Sequence, residues 1–570
     1  MGWFKQLTER WSFTNPVHGR YAPHIPNFRD FPDYTGKLDQ TLEYLAQTLG
    51  VSDDYIVRMI EVQGVSGALI FYSSICDKRA VEDTLRSIHS HRFPRRMPKN
   101  LSQYLIERVL VGSDAIFMVN MFELREAVAA CKLVLLFDQH KPAVVISAKA
   151  VEHRTPEQPT VESASRGSQV AFVENIDINL GMIRQLLSTD TLVIKRWTIG
   201  VRSHHVVAMA FIRDVANPVL VDTVMKRLET IHIDHISNSA AIEQRISDHP
   251  WSLFNLTRVT TRVDSVCREL NQGKIVIIVD GDPTVLLAPT TFQDFFQTEE
   301  DYVHSWWEGT FIRWLRIIAF ALAVWLPALY ISFADFSPEL LPKTMALQIA
   351  QSRQGVPFPA VMEVIIMQTV VEILREATLR MPKQMGQTIS IVGGLVVGQA
   401  SVEAGIVSNI LIIVVALTAV SIFVSPSYEF TVMIRLGGWI MILAATLLGF
   451  YGVVLVTLWA LYEICNLKSF GVPYVDPLGG DYVKDAFVDG LIRLPITVMD
   501  KRTKHLHPFD ATGDTDMVVP VPHPQLEKWP PPPTTPKRRE GGGDASHEEA
   551  LAYDVPRPSL RYGMRRLPKD

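Results

Sequence analysis

The stretch IIAFALAVWLPALYISF, residues 317–333, decides the architecture of this chain, because it is a run of 17 residues without a charge. A helix needs about 20 mainly apolar residues to cross a bilayer, and residues 311–315 extend the run upstream. Arg313 and Arg316 lie at the N-terminal end of the run, and we expect their long side chains to reach back to the membrane surface. The sequence therefore predicts a membrane-spanning helix that begins near Phe311.

Two more apolar regions follow this helix. Residues 388–424 form a run that is too long for one straight pass, so they are either two short passes or one bent pass. Residues 436–461 form another span. Because soluble domains rarely bury several apolar runs of this length, we expect a polytopic α-helical membrane domain over residues 306–465.

The residues before the membrane domain are typical of a soluble α/β region with an internal repeat. Residues 68–75 predict a buried strand and residues 81–88 a helix. About 140 residues further on, residues 206–212 and 219–231 predict the same strand–helix pair. Such pairs also recur by chance, but their shared order and offset favour a duplication.

A pair of apolar runs around a turn repeats at the same offset. Residues 132–148 and residues 274–288 both have this form. In the second copy Asp280-Gly281 predicts a hairpin with a type I′ turn, which needs a positive φ at both residues. We therefore expect two related α/β subdomains.

Composition excludes several classes of protein. The 570 residues include 55 Lys and Arg and 60 Asp and Glu, so the chain is no strongly basic nucleic-acid-binding protein. Four separated cysteines give neither a disulfide framework nor a zinc site. The chain lacks the common nucleotide-binding, zinc-protease and nucleophile-elbow motifs, so we expect no enzyme, no cofactor and no metal site.

From about residue 480 the chain holds many prolines, a Gly541-Gly542-Gly543 run and mixed charges, which predicts a largely disordered cytoplasmic tail. The predicted domains are an N-terminal extension (1–40), two α/β subdomains (41–155 and 156–305), the transmembrane helical domain (306–465) and the tail (466–570).

Polar residues within the apolar block are the strongest functional signal. The helix predicted over residues 358–380 carries Glu363, Gln368, Glu372, Arg375, Glu376 and Arg380. At 100° per residue, all of them except Glu363 fall on one side of the helix. Charges at membrane depth are costly and normally face a bundle interior or water. Repeated around an oligomer, this helix would line a pore; the alternative is an amphipathic helix that lies at the membrane interface or packs in the bundle.

The run 388–424 adds a helix-packing signal and one more charge. Gly394, Gly398, Ser401 and Gly405 follow helical spacing on one face, so another helix can approach closely there. Glu403 is the costliest polar group of this run, either a pore or gating residue or a hydrogen-bonded structural group. Basic residues in the loop 374–387 predict that this loop and the N-terminal domain are cytoplasmic.

The residues that carry a family resemblance follow one another along the chain. They are Phe172-x-Glu174-Asn175, Ile183-Arg184, Val279-Asp280-Gly281-Asp282-Pro283, Arg375-Glu376-Ala377-x-x-Arg380-x-Pro382-x-x-x-Gly386 and Ile391-Val392-Gly393-Gly394-Leu395-Val396-Val397-Gly398. From about residue 60 to 475 the chain resembles the A subunit of the GerA-type nutrient germinant receptors of endospore-forming bacteria. It departs from the family pattern at residues 168–171 (Ser-Gln-Val-Ala for Pro-Arg-Glu-Gly) and at Thr261 and Val263, where the family has Glu and Pro.

The resemblance implies a receptor subunit in the spore inner membrane. It would contact membrane lipid and would bind no nucleic acid. Its partners would be a permease-like B subunit that binds the germinant and a lipoprotein C subunit. Copies of the A subunit would oligomerise into a nutrient-gated cation channel that triggers germination. Glu174, Asn175 and Arg184 are then candidates for subunit or partner contacts. The alternatives are a non-conducting membrane scaffold and a stand-alone membrane transporter.

Overall fold

The computed structural model describes residues 33–94, 98, 100–110, 114–148, 166–381, 394, 398–479, 486–495, 502, 506 and 508. The first α/β subdomain contains, in chain order, α1 (Leu38–Leu49), β1 (Tyr55–Val62), β2 (Val65–Tyr72), α2 (Lys78–Ser90), α3 (Leu101–Tyr104), β3 (Ala115–Met118), α4 (Met121–Ala129), β4 (Lys132–Phe137) and β5 (Ala143–Ser147). Its strands form one antiparallel sheet in the order β1-β2-β4-β5-β3.

The second α/β subdomain repeats this order element by element. It contains α5 (Ile176–Leu186), β6 (Leu192–Ile199), β7 (His205–Ile212), α6 (Pro218–Glu229), α7 (Ser239–Ile246), β8 (Arg258–Thr260), α8 (Val263–Asn271), β9 (Ile275–Val279) and β10 (Val285–Ala288). Its antiparallel sheet has the order β6-β7-β9-β10-β8, which is the order of the first sheet. The expectation of two related subdomains is therefore confirmed.

Local capping is repeated together with the strand order. Asn100 caps α3 and Asn238 caps α7, each through a side-chain oxygen that accepts a backbone N–H of the first turn. Asp138 accepts the N–H of Leu38 at 3.3 Å. Asp280 does the same for Ile176 at 3.2 Å. Each hairpin aspartate thus holds the first helix of its own subdomain against the sheet.

The hairpin between β9 and β10 forms as expected, but the predicted type I′ turn is wrong. Five residues separate Val279 and Val285, and only Gly281 of the Asp280-Gly281 pair has a positive φ, +86°. The Asp282 side chain shapes the longer loop by accepting the backbone N–H groups of Thr284 at 2.8 Å and Ser239 at 2.7 Å.

The second sheet is buried on both faces. Strand β9 alternates between two apolar cores, with Val276 and Ile278 on the α5 and α8 side and Ile275 and Ile277 on the α6 and α7 side. Since side chains along a strand point alternately to opposite faces, a fully apolar strand needs cover on both sides. This explains why residues 275–279 form an unbroken apolar run in the sequence.

The helical part follows a short segment, α9 (Glu300–Val303), and contains α10 (Trp306–Ile331), α11 (Lys343–Ser352), α12 (Ala360–Arg380), α13 (Asn409–Phe423) and α14 (Tyr428–Asn466). Within the described residues, α10 with its continuation to Phe336 and α14 are the two helices long and apolar enough to cross a membrane. Helix α10 packs against α13 and α14, and α12 packs against α13.

The apolar run 388–424 is interrupted. Residues 398–403 are helical, the chain then turns at Gly405 with a φ of +62°, and α13 begins at Asn409. A broken segment agrees with the expectation that the run is not one straight helix. Residues 382–393 and 395–397 lie outside the described residues.

The beginning of the predicted tail is folded. A small hairpin of β11 (Lys468–Ser469) and β12 (Val472–Pro473) follows α14. The Ser469 hydroxyl donates to the carbonyl of Leu256 at 2.6 Å, and Tyr474 is fully buried. Residues 486–495 pack further along the chain's own surface, as described below. The expectation of disorder from residue 466 is wrong for these segments, and beyond them most of the tail lies outside the described residues.

One fully buried ion pair joins the two α/β subdomains. Arg184 in α5 donates from Nε to Asp54 Oδ2 at 2.7 Å and from Nη2 to Asp54 Oδ1 at 2.8 Å. Nη2 also donates to the Ser52 hydroxyl at 2.9 Å, and the guanidinium carbon lies 3.7 Å from the ring centroid of Tyr72. Burial alone would raise the pKa of Asp54, but the charge of Arg184 and hydrogen bonds from Arg184, Ser52 and Ser74 bring that pKa below its ordinary value.

We expect Asp54→Asn to lower the stability of the soluble half at pH 7 by about 3–5 kcal/mol, because it leaves the buried Arg184 charge unpaired. A depressed pKa contributes stability above the unfolded-state value near 3.8 and loses it as pH falls through the folded-state value. The difference in stability between wild type and Asp54→Asn should therefore become smaller at acidic pH. Thermal unfolding of the purified full chain at pH 7 and pH 3 measures both effects.

Asp222→Asn is the matched control, because Asp222 and Lys226 form an exposed pair on α6, and such pairs contribute about 0–1 kcal/mol. Equal melting temperatures for Asp54→Asn and Asp222→Asn at pH 7 would contradict the assignment of Arg184 and Asp54 as a stabilising link between the subdomains.

Helix α14 carries a backbone break that only glycine fits. Gly449 has φ +58° and ψ −141°, and a Cβ added there would lie 2.8 Å from Cγ of Phe336. We expect Gly449→Ala to destabilise the chain by about 1–3 kcal/mol from backbone strain, with the steric clash in addition. Gly437→Ala in the same helix meets no atom within 4 Å and is the control. Equal melting temperatures for Gly449→Ala and Gly437→Ala would contradict the proposed backbone strain.

Candidate functional site

Two arginines at the start of α10 are buried, not extended to the membrane surface. Arg313 is fully buried and donates from Nε to Asp301 Oδ2 at 3.2 Å. Arg316 is 7 % exposed, and its Nη1 lies 2.9 Å from Asp301 Oδ1. The expectation that these side chains reach to the interface is wrong, because α9 supplies a buried carboxylate directly beneath them.

The segment after α14 completes this arginine site. Arg313 Nη1 donates to the carbonyl of Gly490 at 2.8 Å and also to the carbonyl of Asp489. The Asp489 carboxylate accepts from the Tyr302 hydroxyl at 2.9 and 3.0 Å. Arg493 Nη1 donates to the carbonyl of His304 at 2.7 Å. Residues near 490 therefore return to the base of the first membrane helix and fix its position.

A second buried ionic cluster continues into the soluble subdomain. Glu269 in α8 is bound by Lys274 at 2.8 Å and by Arg268 at 2.7 Å. Lys274 also reaches Asp294 at 2.7 Å, and Arg268 reaches Glu299 at 2.6 Å. Burial would raise the pKa of Glu269, but the charges of Lys274, Arg268 and then Arg258 bring it well below its ordinary value. The cluster connects the second sheet to the segment that leads into α10.

Sequence analysis singled out none of Asp301, Tyr302, Asp489 and Arg493. An aspartate 176 residues from its arginine gives no local pattern. The useful signal was the pair of arginines inside an apolar run, because buried charges need partners.

Glu363 is a structural clamp at the N-terminal end of α12. It is fully buried, accepts from Arg353 Nε at 3.2 Å and accepts the backbone N–H of Ser408 at 2.8 Å. Arg353 Nη1 also donates to Asp335 at 2.9 Å, and Asp335 accepts the N–H of Val361 at 3.2 Å. Glu363 thereby connects α11, α12 and the start of α13, away from the polar stripe of α12.

The polar stripe of α12 divides into an inner and an outer part. Glu372 forms a bidentate ion pair with Arg435 of α14. The Arg375 guanidinium carbon lies 5.3 Å from the ring centroid of Phe423 in α13. Gln368 is 6 % exposed, and its Oε1 has no hydrogen-bond partner among the described residues. These three side chains face the other helices.

The outer part of the stripe is a surface pair. Arg380 donates to Glu376 at 2.6 and 2.8 Å, and both side chains are exposed. Arg435 was not singled out from the sequence, although it stands just before the apolar run of α14. The signal that could have found it is the unpaired Glu372, which requires a cation at the same depth.

The predicted small-residue face is only partly realised. A Cβ added to Gly394 or Gly398 would meet no atom within 4 Å, so no other helix packs closely there among the described residues. Glu403 is exposed, and its carboxylate accepts from the Gln399 side chain of the same helix at 2.9 Å. Gly405 lies outside the helix, because the chain breaks after residue 403, and its Cβ would approach the carbonyl of Gly355 at 3.1 Å. The backbone carbonyl of Ser401 accepts the N–H of Ile406 at this break at 2.9 Å. The expectation that all four residues share one helix face is therefore wrong for Gly405.

The three soluble candidates for partner contacts have different environments. Glu174 is exposed, and its carbonyl accepts the N–H of Gly281 at 2.7 Å. Asn175 is exposed and caps α5 by accepting the N–H groups of Asp177 and Ile178 at 3.0 and 3.2 Å. Arg184 has no exposed surface to offer a partner, because Asp54 and Ser52 surround it. Glu174 and Asn175 remain accessible.

The two departures from the family pattern meet in space. Arg262 Nη2 donates to the carbonyl of Ser168 at 3.1 Å. The backbone N–H of Phe172 donates to the carbonyl of Thr261 at 2.8 Å, and Ala171 forms a bridge with Arg262. Among the described residues, no three His, Cys, Asp or Glu side chains are arranged to hold a metal ion.

Comparison with known proteins gives consistent matches over most of the chain. Spore germination protein GerLA of Bacillus cereus is 34 % identical over 480 residues, covering 84 % of this chain and 97 % of that protein. Spore germination protein KA of Bacillus subtilis (strain 168) is 33 % identical over 470 residues, covering 81 % and 85 %.

The crystal structure of the N-terminal domain of the A subunit of the Bacillus megaterium spore germinant receptor GerK3 aligns with 46 % of this chain and 98 % of that chain. The identity is 24 % and the TM-score is 0.37. The family model described as Bacillus/Clostridium GerA spore germination protein matches residues 43–505. The chain therefore belongs to the GerA family of spore germination proteins.

Proposed function

We propose that several copies of this germinant receptor A subunit assemble around a cation pathway in the spore inner membrane, and that nutrient binding opens it. The observation that carries the proposal is the inner stripe of α12, where Gln368, Glu372 and Arg375 lie on one helix face. Polar groups inside a bundle of membrane helices are costly and mark ion pathways in membrane proteins. In a gate formed by α12, movement of this helix relative to α14 would bring these polar side chains to the pathway.

The pair of Glu372 and Arg435 is the centre of this proposed gate. It joins α12 to α14 through two hydrogen bonds, and both side chains keep some exposure, 16 % and 23 %. A partly hydrated ion pair is easier to separate than a dry one, because water replaces part of the lost attraction. Separation of the pair would expose one negative and one positive charge to the pathway.

The same geometry supports a cytoplasmic soluble half. Arg375 and Arg380 lie at the C-terminal end of α12, and Arg375 contacts Phe423, which borders the same cavity as Arg258 of β8. The end of α12 that carries Arg375 and Arg380 therefore faces the soluble subdomains, and Lys and Arg at the ends of membrane helices are preferentially cytoplasmic. The proposed partners are a permease-like B subunit, which binds the nutrient, and a lipoprotein C subunit.

One observation favours a second candidate function, a non-conducting scaffold of the receptor. Arg435 already neutralises Glu372 within the same chain, so the pair also serves as a plain helix-packing contact. The two functions predict different results when the pair is removed and the receptor still assembles. A gate predicts a changed rate of cation release, and a scaffold predicts a normal rate.

We expect Glu372→Gln to change the rate of nutrient-triggered cation release from spores by about tenfold or more, since ~1.4 kcal/mol of altered preference between closed and open states shifts their ratio tenfold. Glu372→Arg combined with Arg435→Glu restores the pair and should recover most of the normal response. Release is measured as potassium in the medium, with the receptor level checked by immunoblot.

Glu376→Gln is the matched control, because Glu376 pairs with Arg380 on the outer surface of the same helix. Normal release by Glu372→Gln spores at a normal receptor level would favour the scaffold and refute a gating role for this pair.

A further inference from the structure

A cavity of about 310 Å³ lies between the second α/β subdomain and the membrane helices. Its soluble wall is formed by Arg258 of β8 and Ser265 of α8, and its other wall by Arg316 of α10 and the turn between α13 and α14, residues 423–426. Its volume is at the lower end of the range for small-ligand sites, about 300–1,000 Å³.

Two side chains that line the cavity have unmet hydrogen-bonding groups. Arg258 is 5 % exposed, and its Nη1 has no hydrogen-bond partner in the described part of the chain. Its nearest carboxylate oxygen belongs to Glu269, 3.6 Å away, and its Nη2 makes one long bond of 3.4 Å to the carbonyl of Gln297. Ser265 is 1 % exposed, and its hydroxyl likewise has no partner there. Buried donors of this kind are rare in native structures unless a water or ligand meets them.

The carboxylates around Arg258 form closer ion pairs with other cations. Lys274 and Arg268 hold Glu269 at 2.8 and 2.7 Å. Glu299, which also lines the cavity, is held by Arg268 at 2.6 Å. Asp301 is held by Arg313 and Arg316. Arg258 is therefore left with the weakest contact of the cluster.

Three arginines line the cavity, together with Glu299 and Glu300. Arg262 is paired with Asp264 and Arg316 with Asp301, whereas Arg258 lacks a carboxylate at hydrogen-bond distance. Arginine is the side chain best suited to a tetrahedral oxyanion, because its planar fork of N–H donors matches two oxygens at once. The unmet donors of Arg258 and Ser265 call for an acceptor with several oxygens.

We propose that this cavity binds the phosphoryl group of an anionic ligand, with Arg258 Nη1 and the Ser265 hydroxyl donating to its oxygens. The group belongs either to an anionic phospholipid headgroup or to a soluble phosphate compound. The bound phosphoryl group holds β8 and α8 of the soluble half against the turn between α13 and α14. Occupancy therefore strengthens the contact between the soluble and membrane halves.

The test uses the full chain in lipid nanodiscs. In one arm, nanodiscs of pure phosphatidylcholine are titrated with inorganic phosphate, with sodium chloride at matched ionic strength as the control for screening. In the other arm, phosphatidylglycerol replaces part of the phosphatidylcholine. Thermal unfolding reports stabilisation, and native mass spectrometry reports the retained phosphate or phosphatidylglycerol.

We expect the melting temperature to rise in one arm beyond the chloride control. Stabilisation only by phosphatidylglycerol assigns a lipid headgroup, and stabilisation by inorganic phosphate assigns a soluble compound. Ser265→Ala and Arg258→Gln should each weaken the binding by about tenfold, because each removes a donor to a charged group. Arg202→Gln, at an exposed arginine outside the cavity, should leave binding unchanged.

Ser265→Ala removes only one unpartnered hydroxyl, so it keeps the test valid if Arg258→Gln fails to fold. Absence of stabilisation in both arms means that the cavity holds water alone, which overturns the proposal. Stabilisation of wild type and Ser265→Ala to the same extent, at the same ligand concentrations, also overturns it.

Discussion

The burial of Arg313 and Arg316 against Asp301 is the interaction on which the arrangement of the whole chain depends. Two guanidinium groups at the start of a membrane helix cannot stay unpaired in the interior, since removing one partner of a buried pair costs about 3–5 kcal/mol. Asp301 lies in the short helix that precedes α10, and Asp489 returns from the segment after α14. The need to neutralise these two arginines thus brings three distant parts of the sequence to one place.

From this junction, ionic contacts run into the second α/β subdomain. Glu299, Arg268, Glu269, Lys274 and Asp294 follow one another at hydrogen-bond distance. The two subdomains are joined in turn by the buried pair of Arg184 and Asp54. Each of these groups is a set of buried charge pairs whose members come from different elements, so separating the elements that meet there is costly.

Local pattern predicted the repeat, because strands and helices leave their periodicity within a few residues. The apolar strands β9 and β4 and the hairpins that follow them come from such local signals. Contacts between distant residues left no such trace. Asp54 is 130 residues from Arg184, and Arg435 is 63 residues from Glu372. Helical spacing placed Gln368, Glu372 and Arg375 on one face correctly, but it could not show which neighbour each side chain meets. The same spacing failed at Gly405, because the chain leaves the helix before that residue.

The central functional claim is that this subunit contributes a gated cation pathway. Current recording from the complete receptor, reconstituted in a planar bilayer with and without nutrient, tests it most directly. We expect a cation current that nutrient opens and that Glu372→Gln alters in amplitude or open probability. A complex that assembles normally and binds nutrient, yet passes no current in any state, would contradict it.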